Sequence, residues 1–150
     1  LYDTLYPGFS LPNGAIVTGF RVSVSRYMYH SNDGQGWETH AQLSVEGVAI
    51  GDQKATGAEV LPSPGSVAFG GEGDLWGIDW EEARGAHSLN EFLDAFLDFD
   101  YGATIQGIAD GIVIRVPSIY RTVYWTVEGM KFDGVTSIKF NNVAEKFDGV

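Results

Sequence analysis

The side chains that could carry chemistry in this chain are mainly carboxylates. Asp94, Asp98 and Asp100 alternate with Ala95, Leu97, Phe99 and Tyr101, so an extended segment would set the carboxylates along one face. Asp79, Glu81 and Glu82 lie a short way upstream. Paired carboxylates suit glycoside hydrolysis when one is kept protonated across a cleft from the other. They also suit Ca²⁺, for which Glu72, Asp74, Asp98 and Asp100 are the candidates. Glu72-Gly73-Asp74 lacks the ligand spacing of an EF-hand loop. An acidic strand face that stays solvated and discourages edge-to-edge association accounts for the same pattern, and it is the preferred reading. His30, His40 and His87 show no H-x-H or H-x-x-x-H spacing, so no metal centre is expected from them. Gly65-Ser66 lacks the flanks of a nucleophile elbow. No catalytic residue and no cofactor are expected.

The aromatics are the other candidates. Tyr27, Tyr29, Trp37, Tyr120 and Tyr124 fall on or near the outward faces of expected strands. Exposed aromatics stack on sugar rings and also populate subunit interfaces, where Tyr and Trp are enriched. The interface reading is preferred, and Tyr27, Tyr29, Tyr120 and Tyr124 are its candidates. Trp76 and Trp80 are expected in the core.

The elements that must position these groups read as strands. Phe20, Val22 and Val24 alternate with Arg21, Ser23 and Ser25, which predicts one apolar and one polar face. A second strand carries Ala41, Leu43 and Val45, and Glu46-Gly47 turns it into Val48 and Ile50. Residues 51–73 are rich in Gly and Pro and read as loop. Ser88-Leu89-Asn90-Glu91 fits a capping box, which predicts a helical turn near 88–92 running into a strand near 94–101. Ile112, Ile114 and Val116 make a strand that Pro117 ends, and Ile119 to Val127 makes another. Phe20, Val22, Val24, Leu43, Val45, Ile112, Ile114 and Val116 are expected in one core.

The tail repeats a unit: Lys131-Phe132-Asp133-Gly134-Val135, Lys139-Phe140-Asn141-Asn142-Val143 and Lys146-Phe147-Asp148-Gly149-Val150. Each places a pair suited to φ > 0 between an aromatic and Val, which is strand–turn chemistry. Phe132, Phe140 and Phe147 are further interface candidates. The expected organisation is an arm over 1–14, a β-domain over 15–128 and a C-terminal hairpin or meander over 129–150.

Composition narrows the function. The 150 residues hold 20 glycines, no cysteine and a formal net charge of -11. Disulfides and thiol chemistry are excluded. The acidity opposes binding to nucleic acid or anionic membranes, and no run of 18 apolar residues suggests membrane insertion.

Gly70-Gly71-Glu72-Gly73-Asp74-Leu75-Trp76-Gly77, Leu89-Asn90-Glu91-Phe92 and Ile108 through Val116 together resemble a jelly-roll-like domain of tailed-phage virion proteins. In that family a D-L-W-G strand precedes an Asn-containing turn, and an I-D-G-V-x-V-x-V strand closes the sheet. The tail resembles the K-F-N-G-V β-repeats of phage tail and fibre proteins. The resemblance implies an all-β, jelly-roll-like β-sandwich that acts as a virion structural protein of the tail, baseplate, collar or head-decoration layer. It would be assembled in the host cytoplasm through contacts with copies of itself and other virion proteins, with a host surface glycan as a further ligand. The alternative is a carbohydrate-binding module or receptor-binding fibre tip. The family has no shared catalytic residues to carry over.

Overall fold

The computed structural model describes residues 10–29, 34–107 and 113–127, and the backbone of 138–141. Among the described residues, seven strands make two antiparallel sheets. β1 (Ala15–Tyr29), β4 (Gly65–Gly71), β6 (Val113–Val127) and β7 (Ile138–Asn141) form one, in the order β4-β1-β6-β7. β2 (Gly34–Val45), β3 (Val48–Ile50) and β5 (Leu97–Gly107) form the other, in the order β3-β2-β5. Between β4 and β5 lie the short helix α1 (Trp80–Arg84), the helical turn α2 (Leu89–Glu91) and a π-helical turn, Phe92–Phe96.

The alternation in β1 sends Phe20, Val22 and Val24 inward with no exposed surface. They meet Ala41, Leu43 and Phe99 of the other sheet in one apolar cluster. Its centre is aromatic: Trp80 lies 5.2 Å from Phe20, and Trp76 meets Phe99 edge-to-face at 6.2 Å. Trp76 and Trp80 are therefore core residues. Val45 and Val116 are half-buried against the cluster. Ile114 is half-buried and sits over Gly36 and Met28. Ile112 lies outside the described residues.

Local chemistry explains several boundaries. Glu46 and Gly47, at φ 50° and 78°, form the two-residue turn that registers Val45 opposite Val48. The Ser88 hydroxyl accepts from the Glu91 amide at 3.1 Å, as a capping residue should. The Glu91 carboxylate lies against His87 at 3.3 Å. The helical path then continues to Phe96, so the strand starts at Leu97, not near 94. Asp94 accordingly lies in the π-helical turn and not on the strand face with Asp98 and Asp100. The Arg121 guanidinium donates to the carbonyls of Leu93 and Leu97 at 2.9 Å each, satisfying groups that the end of this turn leaves open.

Three expectations are corrected. Pro117 does not end a strand: β6 runs through it. The β1–β6 register slips by one residue between Ser25↔Ser118 and Tyr27↔Arg115. Pro117 falls in that slip, and a bulge tolerates a residue that lacks an amide proton. The stretch 51–73 is not all loop, because β4 pairs with β1 from Arg26↔Gly65 to Phe20↔Gly71. Its glycines hide the strand in sequence. Lastly, Asp74-Leu75-Trp76-Gly77 is a turn and not a strand. Trp76 has φ 59° there, held by its amide on Asp74 Oδ1 at 2.9 Å and its indole N–H on the Phe20 carbonyl at 2.8 Å.

The middle tail unit adds a strand: in β7, Phe140 pairs with Trp125 and Asn141 with Tyr124. Phe132 and Phe147 lie outside the described residues.

Candidate functional site

The C-terminal end of β1 and the start of β2 meet the end of β5 and the start of β6. Tyr29 pairs with Val113, and Gly34 with Gly107. Among the described residues, apolar side chains at this end stay in solvent: Tyr29, Ile105 and Val113 keep 40, 39 and 41% of their surface. A shallow hollow of about 320 Å³ lies between β5 and β6, lined by Tyr101, Ala103, Ile105, Val113, Ile114 and Val116. The Arg115 guanidinium stacks 4.2 Å from the Tyr29 ring centre and takes up one of its faces.

Tyr101 connects this hollow to a buried ion pair that crosses the two sheets. Glu38 of β2 has a side chain with 0% exposure, and Arg26 of β1 keeps 11%. Arg26 Nε and Nη2 both reach Glu38 Oε1 at 2.8 Å, and the Tyr101 hydroxyl donates to the same oxygen at 3.1 Å. Glu38 Oε2 meets no hydrogen-bond partner among the described residues. Burial, followed by the Glu38 charge, pushes the Tyr101 phenol up to about 12 against the opposing pull of Arg26. Register slips flank the pair in both sheets, at Ser25/Tyr27 and at Glu38/His40. In β2 the slip adds Thr39, which turns both Glu38 and Ala41 inward. Gly102 faces this bulge, and a Cβ there would lie 3.1 Å from the His40 Cβ.

The sequence-derived candidates scatter over the fold. Tyr29 and Tyr120 are exposed, whereas Tyr27 is half-buried. Tyr124 is a correction: it is buried at 8%, with Gly19 beside it on β1 and Asn141 of β7 on its other side. Trp37 is half-buried and bridges to Glu59 of the connecting segment. Asp98 and Asp100 are half-buried on β5 opposite Ser44 and Gln42. Asp74 is committed elsewhere. Lys54 Nζ lies 2.9 Å from its carboxylate, 3.7 Å from Asp52 and 5.3 Å from the Trp76 ring centre. Burial alone would raise the Asp74 pKa, but the Lys54 ammonium and the Trp76 amide outweigh it and hold it below 3.8. Glu72 is exposed in the adjoining turn. Among the described residues no three His, Cys, Asp or Glu side chains gather as a metal site would require. His87 stacks on Phe96 at 4.0 Å, His40 is half-buried beside the bulge, and His30 lies outside the described residues.

Arg26, Glu38 and Arg121 are the polar residues that sequence reading passed over. The signal for Arg26 was present, because it continues the inward phase of Phe20, Val22 and Val24.

The arrangement defines an all-β protein of two antiparallel sheets, with a polar pair locked between them and an apolar strand end. No helix among the described residues is long and apolar enough to cross a membrane. Comparison with protein-family models, curated proteins and solved structures returned no match.

Proposed function

We propose that this chain is a non-enzymatic structural protein that works by packing against copies of itself and neighbouring subunits, as a virion component of a tailed phage would. The observation that carries this reading is the strand end at Tyr29, Ile105 and Val113, where apolar side chains are held in solvent above the Arg26–Glu38 pair. Contiguous exposed apolar surface on an otherwise charged protein favours a protein partner. The pairing pattern supports a jelly-roll-like sandwich. β1 pairs with β6 and β2 with β5, so the pairs nest as they do when a long hairpin is rolled up. Arg115 covers one face of Tyr29, which leaves less aromatic face for a sugar ring and favours the interface over the glycan alternative.

Sedimentation velocity tests the reading directly. The wild-type chain should self-associate, and Val113→Lys with Ile105→Lys should dissociate it while keeping the unfolding midpoint that the wild type shows when diluted to the monomer. A monomer that instead binds a glycan panel through Tyr29 or Tyr120 would refute the assembly reading in favour of carbohydrate recognition.

A further inference from the structure

We infer that two copies join through β5, whose outer edge pairs antiparallel with the β5 edge of the second copy about a two-fold axis at Ala103. The inference rests on the assembly reading and names the contact. β5 is the last strand of its sheet, and its partners on β2 show which of its backbone groups face outward. The Ala41 and Gly36 carbonyls accept from the Lys54 and Val60 amides at 2.8 Å each, and the Glu38 amide donates to the Ala58 carbonyl at 2.9 Å. These groups point away from β5. The residues opposite them, Tyr101, Ile105 and Ala103, therefore turn their amides and carbonyls away from β2. Leu97 has the same phase, and Arg121 takes its outward carbonyl at 2.9 Å. From Phe99 to Gly107 the outward groups meet no backbone partner among the described residues. β7 lies at the far end of β6 from Val113, beside Tyr124–Val127.

An open edge of this kind is a template for another strand, and its side chains favour its own copy. On the outer face, Asp98 and Asp100 occupy one half of β5, whereas Gly102, Thr104 and Gln106 in the other half carry no charge. Antiparallel pairing sets unlike halves together. An axis at Phe99 or Asp100 would oppose carboxylates directly, which is destabilising. An axis at Ala103 sets Asp100 beside Gln106, a carboxylate beside an amide. It also engages the whole open span, because Ala103 is the midpoint of 99–107. The two acids thus select the register and leave the edge usable. On the inner face, the same register sets the exposed Ile105 against Tyr101 of the second copy. Both residues line the hollow between β5 and β6, together with Val113, Ile114 and Val116. The strand that satisfies the edge therefore also brings apolar side chains to the hollow where Val113 stays exposed. The contact is isologous and closes on itself, joining two three-stranded sheets into one of six strands.

The chain has no cysteine, so introduced thiols report the register in the full-length protein. With the axis at Ala103, positions 100 and 106 of different copies are direct neighbours about 4.5 Å apart at Cα, a span that a disulfide bridges. The two copies of position 100 are offset by six residues, about 20 Å. An equimolar mixture of Asp100→Cys and Gln106→Cys should therefore oxidise, with oxidised glutathione, to a covalent dimer holding one chain of each, read by mass spectrometry. Neither variant alone should cross-link. In sedimentation velocity, Ala103→Pro removes one outward amide, a change that an edge strand tolerates. It should weaken self-association about tenfold or more, while the diluted monomer unfolds as the wild type does. If the proline variant misfolds, the cross-link decides. If the wild type associates and no mixed cross-link forms, the inference fails, although the assembly reading stands. Cross-linking of Asp100→Cys with Thr104→Cys in place of Gln106→Cys would move the axis to Gly102 and overturn the register. A wild-type chain that remains monomeric overturns the assembly reading as well.

Discussion

Replacing Arg26 by Met should be among the most damaging single changes in the described structure. Glu38 is fully buried, and both guanidinium contacts at 2.8 Å converge on one of its oxygens. Removing Arg26 leaves that oxygen with only the Tyr101 hydroxyl, beside an Oε2 that already meets no partner among the described residues. An uncompensated buried charge of this kind costs about 3–5 kcal/mol. With a urea m-value of about 2 kcal/mol/M for a chain of this size, the unfolding midpoint should fall by about 2 M. Glu38→Leu alone strands Arg26 in the same way and should cost a similar amount. The double replacement, Arg26→Met with Glu38→Leu, removes both desolvated charges and should return to within about 1–2 kcal/mol of wild type, or exceed it. The measurement is a double-mutant cycle in urea, read by tryptophan fluorescence. Additive single and double effects would refute the argument. They would mean that Arg26 and Glu38 stabilise the sheets through packing and not through each other.

Acidification should act through Asp74. Its folded pKa lies below the unfolded value of 3.8, so its stabilisation is complete above that value and is lost as pH falls through the folded pKa. Asp74→Asn should flatten that part of the acid-unfolding curve, and an unchanged curve would remove Lys54 as its partner. Tyr101 should be the late tyrosine in an ultraviolet titration, near 12. Since its folded pKa is raised, the stabilisation holds below the unfolded value of 10.0 and is lost as pH climbs toward 12, a loss that Tyr101→Phe should lack. Leu43→Ala should cost about 2–5 kcal/mol as a fully buried residue. Arg115→Ala, on an exposed residue, should cost less than about 1 kcal/mol in the same denaturation assay. Gly70→Ala should unfold the Trp76 turn, because a Cβ would strike both the Phe20 carbonyl and the Trp76 indole nitrogen at a φ of 75°. A native tryptophan emission spectrum in that variant would contradict the packing.

Period-2 alternation made the β class and the inward set Phe20, Val22, Val24 and Leu43 legible, because a pleated strand leaves little choice of face. The Glu46-Gly47 turn was legible for a similar reason, since few pairs accept two positive φ values. Bulges were not legible. Each inserts one residue and reverses the phase beyond it, so Glu38 and Ala41 both face inward although three positions apart, and Pro117 sits inside a strand it was expected to end. Tyr124 lies between Gly19 of β1 and Asn141 of β7, and the pairing of β7 with Tyr124–Val127 is a long-range event that no local pattern announces. Interface residues suffer most from this, because an outward position in one strand says nothing about what a distant segment later lays beside it.

Gly70-Gly71-Glu72-Gly73-Asp74-Leu75-Trp76-Gly77 shows how a run that looks like a signature can be architecture. Gly70 leaves room for the Trp76 indole, whose N–H caps the Phe20 carbonyl on the neighbouring strand. Asp74 accepts the Trp76 amide and holds Lys54. Gly77 leaves room for the Asp52 carboxylate, and Gly51 for the Trp76 carbonyl, which accepts from the Asp52 amide at 2.8 Å. A bulky residue at φ 59° is strained unless its surroundings fix it, and here the backbone, the indole and the adjoining cation all do so. Asp74 is thus tied to the packing of one tryptophan between the sheets. Leu75 stays exposed and lines the groove between the start of β1 and α1.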